Sequence, residues 1–383
     1  MKILYEMNQV EKSEISAEEL SQILKAYKGD RIFLVTGKKS FEECGASKCI
    51  LDATLHFSIC RFSKFNTNPE LTDVAAGVQE FNHFQPNVII AIGGGSVIDM
   101  AKLICYFSGY HESEYLQVLD GAGNKKRNEM CPLIAIPTTS GTGSEATHFA
   151  VVYNNKKKYS VADYKLLPNI SILNFKFTES ASPYLIASTG LDALSQAIES
   201  FWSVHSNEVS KKYAKESIEL ALEFLPQSVA KDSSALRQMM KASNLAGKAI
   251  NITKTTAPHA MSYVFTSYFH IPHGHAVALT LPSIFEFNYG ISEIDLTDKR
   301  GCNYVKNNLI ELSEMFGSSD VSVAVQKLKE LIASIGIETK LSTLGISEKD
   351  IQFMTNNMNY ERLKNNPRVV SKEAAITILM DIL

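Results

Sequence analysis

The sequence predicts an α/β N-terminal domain built on a parallel sheet, residues 1–180, and an all-helical C-terminal domain, residues 181–383. Three observations carry this. Short, almost continuously apolar runs in the first half end in glycine or small hydroxyl residues and alternate with helical patterns, as strands covered on both faces do. After Pro183 the composition shifts and nearly every segment takes a helical period. At 383 residues the chain also exceeds the length, about 250–300 residues, at which a single core divides.

Taken in order, RIFLVTG (31–37) reads as a strand ending on glycine, and 43–53 as helix and turn. A second strand is expected over 55–63 and a helix over 71–84, where apolar residues fall at helical spacing. NVIIAIGGGS (87–96) is a buried strand running into three glycines, followed by a helix over 96–108. PLIAIPTTSGTGSEAT (132–147) repeats the pattern of buried strand and small-residue turn. Residues 154–159 suit a hairpin tip with Lys156 and Lys157 on a solvated face, and 159–173 mixes β character with a break at Pro168. Helices are expected over 184–202, 207–225, 235–251, 257–269, 304–316, 321–335 and 372–383, with the domain boundary near 178–184.

Bulk properties exclude several classes. A net charge of -3 and pI of about 6.3 give no basic field for nucleic acid or a membrane surface. No apolar run approaches the ~20 residues that span a bilayer, and the first residues lack a signal peptide's apolar core. The six cysteines, without CxxC spacing, read as reduced thiols, so a cytoplasmic protein is expected.

Chemistry concentrates in four places. At Gly93-Gly94-Gly95-Ser96 the backbone can approach a phosphate at a helix N-terminus, with Asp99 one turn in; a turn needing positive φ is the plainer alternative. The hydroxyl-rich loop 137–144 after the next strand suits the nicotinamide end of a dinucleotide held by the first loop. Gly37-Lys38-Lys39-Ser40 offers cations and no acid before Glu42, which favours a 2′-phosphate, hence NADPH over NADH; two solvated lysines are the alternative. Finally, residues 254–282 hold four of nine histidines, with His259 and His273 fourteen positions apart. Asp192 and Gln196, four apart on one helix face, would find a metal partner if they face those histidines; otherwise Asp192 is exposed or a cap.

Together LVTG, GGGSVIDMAK, PTTSGTGSEAT, GLDALSQAIES, IPHGHAVALTLP and NPRVVSKEAA resemble, in order and over essentially the whole chain, the iron-containing (group III) alcohol dehydrogenase family. The resemblance implies a dinucleotide-binding α/β domain, a helical domain and a divalent metal, Fe2+ or Zn2+, in the cleft between them. By motif the metal positions are Asp192, Gln196, His259 and His273. The cofactor positions are Gly37, Lys38, Lys39, Ser40, Asn68, Gly94, Gly95, Ser96, Asp99, Thr138, Thr139, Ser144 and Lys158. Two departures stand out: Gln196 where the family ordinarily has histidine, and Tyr263 where a histidine commonly follows the first cleft histidine by four.

Residues 190–204 with KTTAPHAMSY and IPHGHAVALTLP resemble the family's phosphonoacetaldehyde reductase (hydroxyethylphosphonate dehydrogenase) branch. Lys254, Thr255 and Thr256 then read as donors for a phosphonate head, with Lys254 as an exposed helix-start lysine the alternative. The expected reaction is NADPH-dependent reduction of phosphonoacetaldehyde, with a proton relayed by Tyr263, His270 or His275. The expected partners are this small phosphonate aldehyde and, as a homodimer, a second copy of the chain. Other readings are a broader dehydrogenase of short alcohols or diols, a lyase of the dehydroquinate synthase type, and a metal-free nucleotide binder suggested by Gln196.

Overall fold

The computed structural model describes residues 9–27, 29–122, 130–155 and 157–383, so Lys156 lies outside the described residues. The chain divides into two units, Met1–Thr139 with Gly143–Ala181 and Ser140–Thr142 with Ser182–Leu383. Among the described residues no helix is long and apolar enough to cross a membrane.

The first unit begins with β1 (Val10–Ser13) and α1 (Ala17–Ala26). The Ser16 hydroxyl accepts from Glu19 N at 3.1 Å and Glu19 accepts from Ser16 N at 2.7 Å, a reciprocal cap that fixes where α1 starts. Then come β2 (Arg31–Thr36), α2 (Ser40–Glu43), α3 (Ala46–Ala53), β3 (Ser58–Phe62), α4 (Leu71–Phe84), β4 (Val88–Gly93), α5 (Gly95–Phe107) and α6 (Tyr115–Leu119). The unit continues with β5 (Leu133–Pro137), β6 (Phe149–Asn154), β7 (Lys157–Ala162) and β8 (Ile170–Leu173). Six strands form one sheet in the order β1-β8-β5-β4-β2-β3, every neighbour parallel, while β6 and β7 form an antiparallel hairpin.

Period-two alternation in β2 explains why both sheet faces are covered. Ile32 and Leu34 join a core with Leu20, Leu24 and Ile50 of α1 and α3. Phe33 and Val35 join the opposite core with Val74 and Ile98 of α4 and α5. Each such side chain, once buried, contributes about 1.5–3 kcal/mol. Chain order reverses beside β2: β3 adds on one side of it and β4 on the other. The connections after β2 and β4 therefore diverge, and the loops at residues 37–40 and 94–96 open at the sheet's switch point.

The expected helix and turn over 43–53 is split in two, because Gly45 takes a left-handed φ of 76° between α2 and α3. β1 and α1 lie outside the elements singled out from the pattern. None of Gly93, Gly94 and Gly95 has positive φ, so a left-handed turn does not explain them. Space accounts for two of them: a Cβ on Gly93 would lie 2.4 Å from Val97 Cγ2, and one on Gly94 would lie 3.3 Å from Thr139 Oγ1.

Lys102 is wholly buried on α5. Its ammonium donates to the carbonyls of Ser144, Thr147 and Phe149 at 2.6, 2.8 and 2.9 Å, and to the hydroxyls of Ser144 and Thr147 at 3.2 and 3.1 Å. Burial pulls its pKa down to about 8 against the opposing pull of Asp99 and Glu145. One lysine thus organises a loop that has no ladder of its own.

The second unit is helical: α7 (Pro183–Trp202), α8 (Glu208–Val229), α9 (Ser233–Thr253), α10 (Ala257–Phe269), α11 (His273–Tyr289), α12 (Cys302–Met315), α13 (Val321–Ser334), α14 (Glu348–Asn356) and α15 (Lys372–Asp381). Ser182 caps α7, its hydroxyl accepting from Leu185 N at 3.2 Å, with Pro183 in the first turn where no amide partner is needed. α7 is buried on nearly all sides from Ile186 to Trp202 and forms the spine of the core. α11 carries Pro282 internally and is apolar on almost every face, which hides its helical period. Its first turn lies against α7 at Gly274, where a Cβ would stand 1.9 Å from the Ser188 carbonyl oxygen and 3.0 Å from Asp192 Cβ.

Two outcomes follow. Lys102→Met removes the donor shared by five acceptors and the buried cation near Asp99, so it is expected to lower the unfolding free energy by ~3–5 kcal/mol, read from a urea midpoint at unchanged m. A loss under about 1 kcal/mol would show that the loop is held otherwise. Gly274→Ala forces α11 off α7 at a cost near 3 kcal/mol, lowering Tm by about 6–12 °C. A melt within about 2 °C of the parent would show that the crossing relaxes freely.

Candidate functional site

Three helices of the second unit bring ligating atoms together. Asp192 from α7, His259 from α10 and His273 from α11 offer one atom each, all within 4.8 Å of one another. His259 Nε2 lies 3.1 Å and His273 Nε2 3.9 Å from Asp192 Oδ1, and the two imidazoles cross edge to face at 5.4 Å. His273 Nδ1 meets the Ser262 hydroxyl at 3.4 Å, whose own proton goes to the His259 carbonyl at 2.8 Å, so Nε2 faces Asp192. Burial works against the charge on Asp192. His273 and His259 beside it, with the Gln196 amide, outweigh that and hold its carboxyl below the usual range.

Gln196 sits one turn after Asp192, buried, and its Oε1 has no hydrogen-bond partner. An orphaned buried oxygen costs about 1–3 kcal/mol unless something binds it. Two imidazole nitrogens, a carboxylate and this amide oxygen form a donor set that fits a divalent metal. Gly274 makes the set attainable, because any side chain there would hold α11 away from Asp192.

Glu199 was not among the sequence candidates, yet it is the acid behind the site. Wholly buried one turn beyond Gln196, it pairs through Oε1 with His259 Nδ1. Its Oε2 accepts from Thr256 N at 2.6 Å and from the Thr256 hydroxyl at 3.0 Å, while Trp202 Nε1 donates to that hydroxyl at 2.8 Å. Burial disfavours the charged His259 ring, but Glu199 and Asp192 outweigh it and raise the pKa to about 10. A carboxylate on the far nitrogen fixes the tautomer and aims Nε2 into the ligand group.

The remaining candidates have different surroundings. Thr256, expected among the substrate donors, is buried with its hydroxyl used in both directions, so its duty is to hold Glu199. His275, expected as a proton relay, has both ring nitrogens engaged, with Tyr184 Oη at 2.9 Å and the Glu338 carbonyl at 2.7 Å, and burial lowers its pKa. It bridges α7, α11 and the connection at Glu338 between α13 and α14. His270 is exposed and ends α10 with a left-handed φ of 57°. Lys254 is exposed at φ 59°, ψ 177°, a backbone region that residues other than glycine rarely occupy. The Thr255 carbonyl accepts from Asn365 Nδ2 at 3.1 Å. Tyr263 lies one turn after His259 and accepts from Arg362 Nη1 at 3.2 Å.

In the first unit the other candidates line the carboxyl ends of the strands. After β2, a Cβ on Gly37 would lie 2.2 Å from Ser40 Oγ; Lys38 reaches Asn66 Oδ1 at 3.4 Å and Lys39 is the exposed residue before α2. Arg61 adds a cation that sequence reasoning missed, bonded to Thr36 Oγ1 and Glu42 Oε1, each at 2.9 Å, and to the Gly37 carbonyl at 3.4 Å. After β3, Asn68 at φ 65° donates its N–H to Ser96 Oγ at 3.3 Å. After β4, α5 begins at Gly94-Gly95 with no side-chain cap, so its first amides are open to an anion. Asp99 accepts from Ser144 Oγ at 2.6 Å and from Val151 N at 3.0 Å. Burial raises its pKa against the pull of Lys102 and, more weakly, Lys158 of β7. Thr138 N donates to the Gly93 carbonyl at 3.1 Å, and Thr139 faces Gly94. A backbone cradle lacking Cβ atoms beside an uncapped helix start fits a dinucleotide's phosphates.

Comparison with known proteins agrees over both halves. The family model for iron-containing alcohol dehydrogenase matches residues 10–175, and that for the Fe-containing alcohol dehydrogenase family, C-terminal, matches residues 186–383. The chain is 30% identical over 361 residues to an NADPH-dependent butanol dehydrogenase of Clostridium saccharobutylicum, covering 91% of each. It is 28% identical over 316 residues to a phosphonoacetaldehyde reductase of Streptomyces viridochromogenes, covering 80% of this chain and 78% of that one. The crystal structure of sulfoacetaldehyde reductase from Bifidobacterium kashiwanohense in complex with NAD+ matches with a TM-score of 0.83 at 28% identity, covering 98% and 97% of the two chains. These matches set aside the lyase and the non-catalytic binder. The chain belongs to the iron-containing alcohol dehydrogenase family and is an NAD(P)-dependent oxidoreductase acting on CH–OH groups.

Proposed function

We propose that the protein reduces phosphonoacetaldehyde to 2-hydroxyethylphosphonate, with NADPH as the hydride source and a divalent metal, Fe2+ or Zn2+. The observation that carries the chemistry is the group of Asp192, His259 and His273, with ligating atoms within 4.8 Å of one another, beside the unpartnered Gln196 oxygen. These four residues would hold the metal. When bound, the metal supplies Lewis acidity toward the carbonyl oxygen and the nicotinamide supplies the hydride.

The chain's own groups do the rest. Glu199 orients His259, and Ser262 orients His273. Tyr263 holds the proton that the product alcohol gains. Its oxygen accepts from Arg362 at 3.2 Å, on the helix face that carries His259. The likeness to a phosphonoacetaldehyde reductase and to a sulfoacetaldehyde reductase, whose aldehydes both carry an anionic head, supports the substrate class. Arg61 engages Glu42, the nearest acid after β2, which leaves Lys38 and Lys39 to favour the 2′-phosphate of NADPH.

Oxidation of NADPH by phosphonoacetaldehyde tests the reading. The expected kcat/KM exceeds that for propanal by ~100-fold, as a charge-assisted contact gives, and chelation removes the activity until Fe2+ or Zn2+ is restored. Similar kcat/KM for the two aldehydes would leave a broader dehydrogenase. Full activity in protein shown by elemental analysis to be metal-free would end the metal assignment. Replacing both Lys38 and Lys39 with Ala is expected to cut the ratio of NADPH to NADH efficiency by about 10–100-fold. An unchanged ratio would place 2′-phosphate recognition elsewhere.

A further inference from the structure

Tyr263 follows His259 by four residues on α10, on the same helix face and ~5–6 Å further along. Arg362 is fixed against it: Nη1 lies 3.2 Å from the phenol oxygen, and the guanidinium carbon lies 5.2 Å from the ring centroid. The arginine comes from a 3-10 helix, Tyr360–Asn365, whose Leu363 is buried. That helix is braced at its end, where the Asn365 amide donates to the Thr255 carbonyl at 3.1 Å and the Asn365 carbonyl accepts from Val204 N at 3.1 Å. The same turn carries Thr256, which holds Glu199. A half-buried guanidinium is therefore tied to the frame that positions His259.

We propose that Arg362, oriented by Tyr263, is the specificity-determining residue that receives the tetrahedral oxyanion head of the substrate, in place of Lys254. This rests on the reading of the site as a reductase of small anionic aldehydes. Placement favours it: Arg362 meets the side chain that stands one turn from His259 on the same face of α10. Chemistry favours it too, since the planar fork of arginine matches two oxygens of a phosphonate or sulfonate, whereas an ammonium is a point charge. Environment decides between the cations. Lys254 is exposed, where water and salt screen its charge, while Arg362 is half-buried. An uncharged aldehyde takes nothing from this fork, so Arg362 discriminates by substrate charge.

The test measures kcat/KM for phosphonoacetaldehyde, sulfoacetaldehyde and propanal in the wild type, Arg362→Gln, Arg362→Lys and Lys254→Ala, all metal-loaded. Arg362→Gln is expected to cut the ratio of anionic to neutral efficiency by ~100-fold, chiefly through KM, and Arg362→Lys by ~10-fold. Lys254→Ala is expected to change it by less than about threefold. Methylphosphonate should inhibit propanal reduction by the wild type, with Ki rising ~30-fold or more in Arg362→Gln. The two anionic aldehydes, compared in the wild type, tell phosphonate from sulfonate. A wild type that prefers anionic aldehydes while Arg362→Gln keeps that preference, or Lys254→Ala loses it, overturns this inference alone. A wild type with no preference and no inhibition by methylphosphonate overturns the functional reading as well. If Arg362→Gln does not fold, Arg362→Lys carries the test, a tenfold loss supporting the inference and no loss overturning it.

Discussion

One imidazole between two buried carboxylates is the arrangement on which the helical unit depends. Asp192 and Glu199 stand seven residues apart on α7, two turns along one face, and His259 faces the first through Nε2 and the second through Nδ1. Carboxylates removed from water are tolerated only where every oxygen is met. The surroundings read as the means of meeting them. Thr256 and Trp202 complete Glu199, Gly274 removes the atoms that would keep α11 at a distance, and Ser262 turns His273 toward Asp192. A polar stripe inside an otherwise apolar spine restricts how α7, α10 and α11 can pack, so the same contacts serve stability and chemistry.

The α/β unit buries charge for a different end. There the pair Asp99 and Lys102 lies beneath a loop rather than beside a ligand group. The lysine gathers the Ser144, Thr147 and Phe149 carbonyls to one ammonium, and the aspartate takes the Ser144 hydroxyl and the Val151 amide. The glycines after β4 are small because Val97 and Thr139 stand against them.

Much of this was legible in the residues, and what escaped did so for physical reasons. Continuous apolar strands with small-residue ends announced a parallel sheet, since burial on both faces leaves no alternation to read. α11 escaped singling out because a helix apolar on nearly every face has no period either. Asp192, Gln196, His259 and His273 could be grouped through spacing and motif. Glu199 could not, although a second acid seven residues on in an apolar helix was a usable signal. Thr256 reads as a substrate donor because it follows Lys254 just ahead of His259 in sequence. Yet the unusual backbone at Lys254 turns the next residues inward, and no local pattern encodes that. Arg362 lies 99 positions from the tyrosine it engages, a pairing that only the tertiary fold creates.

The ligand group is also lopsided. The side chains of Asp192 and His259 retain 4% and 6% of their exposure, whereas His273, the first residue of α11, retains 35%. Of the three side chains, only the imidazole whose backbone starts a helix keeps a substantial face to solvent, so a reagent in solution that modifies histidine meets His273 before His259.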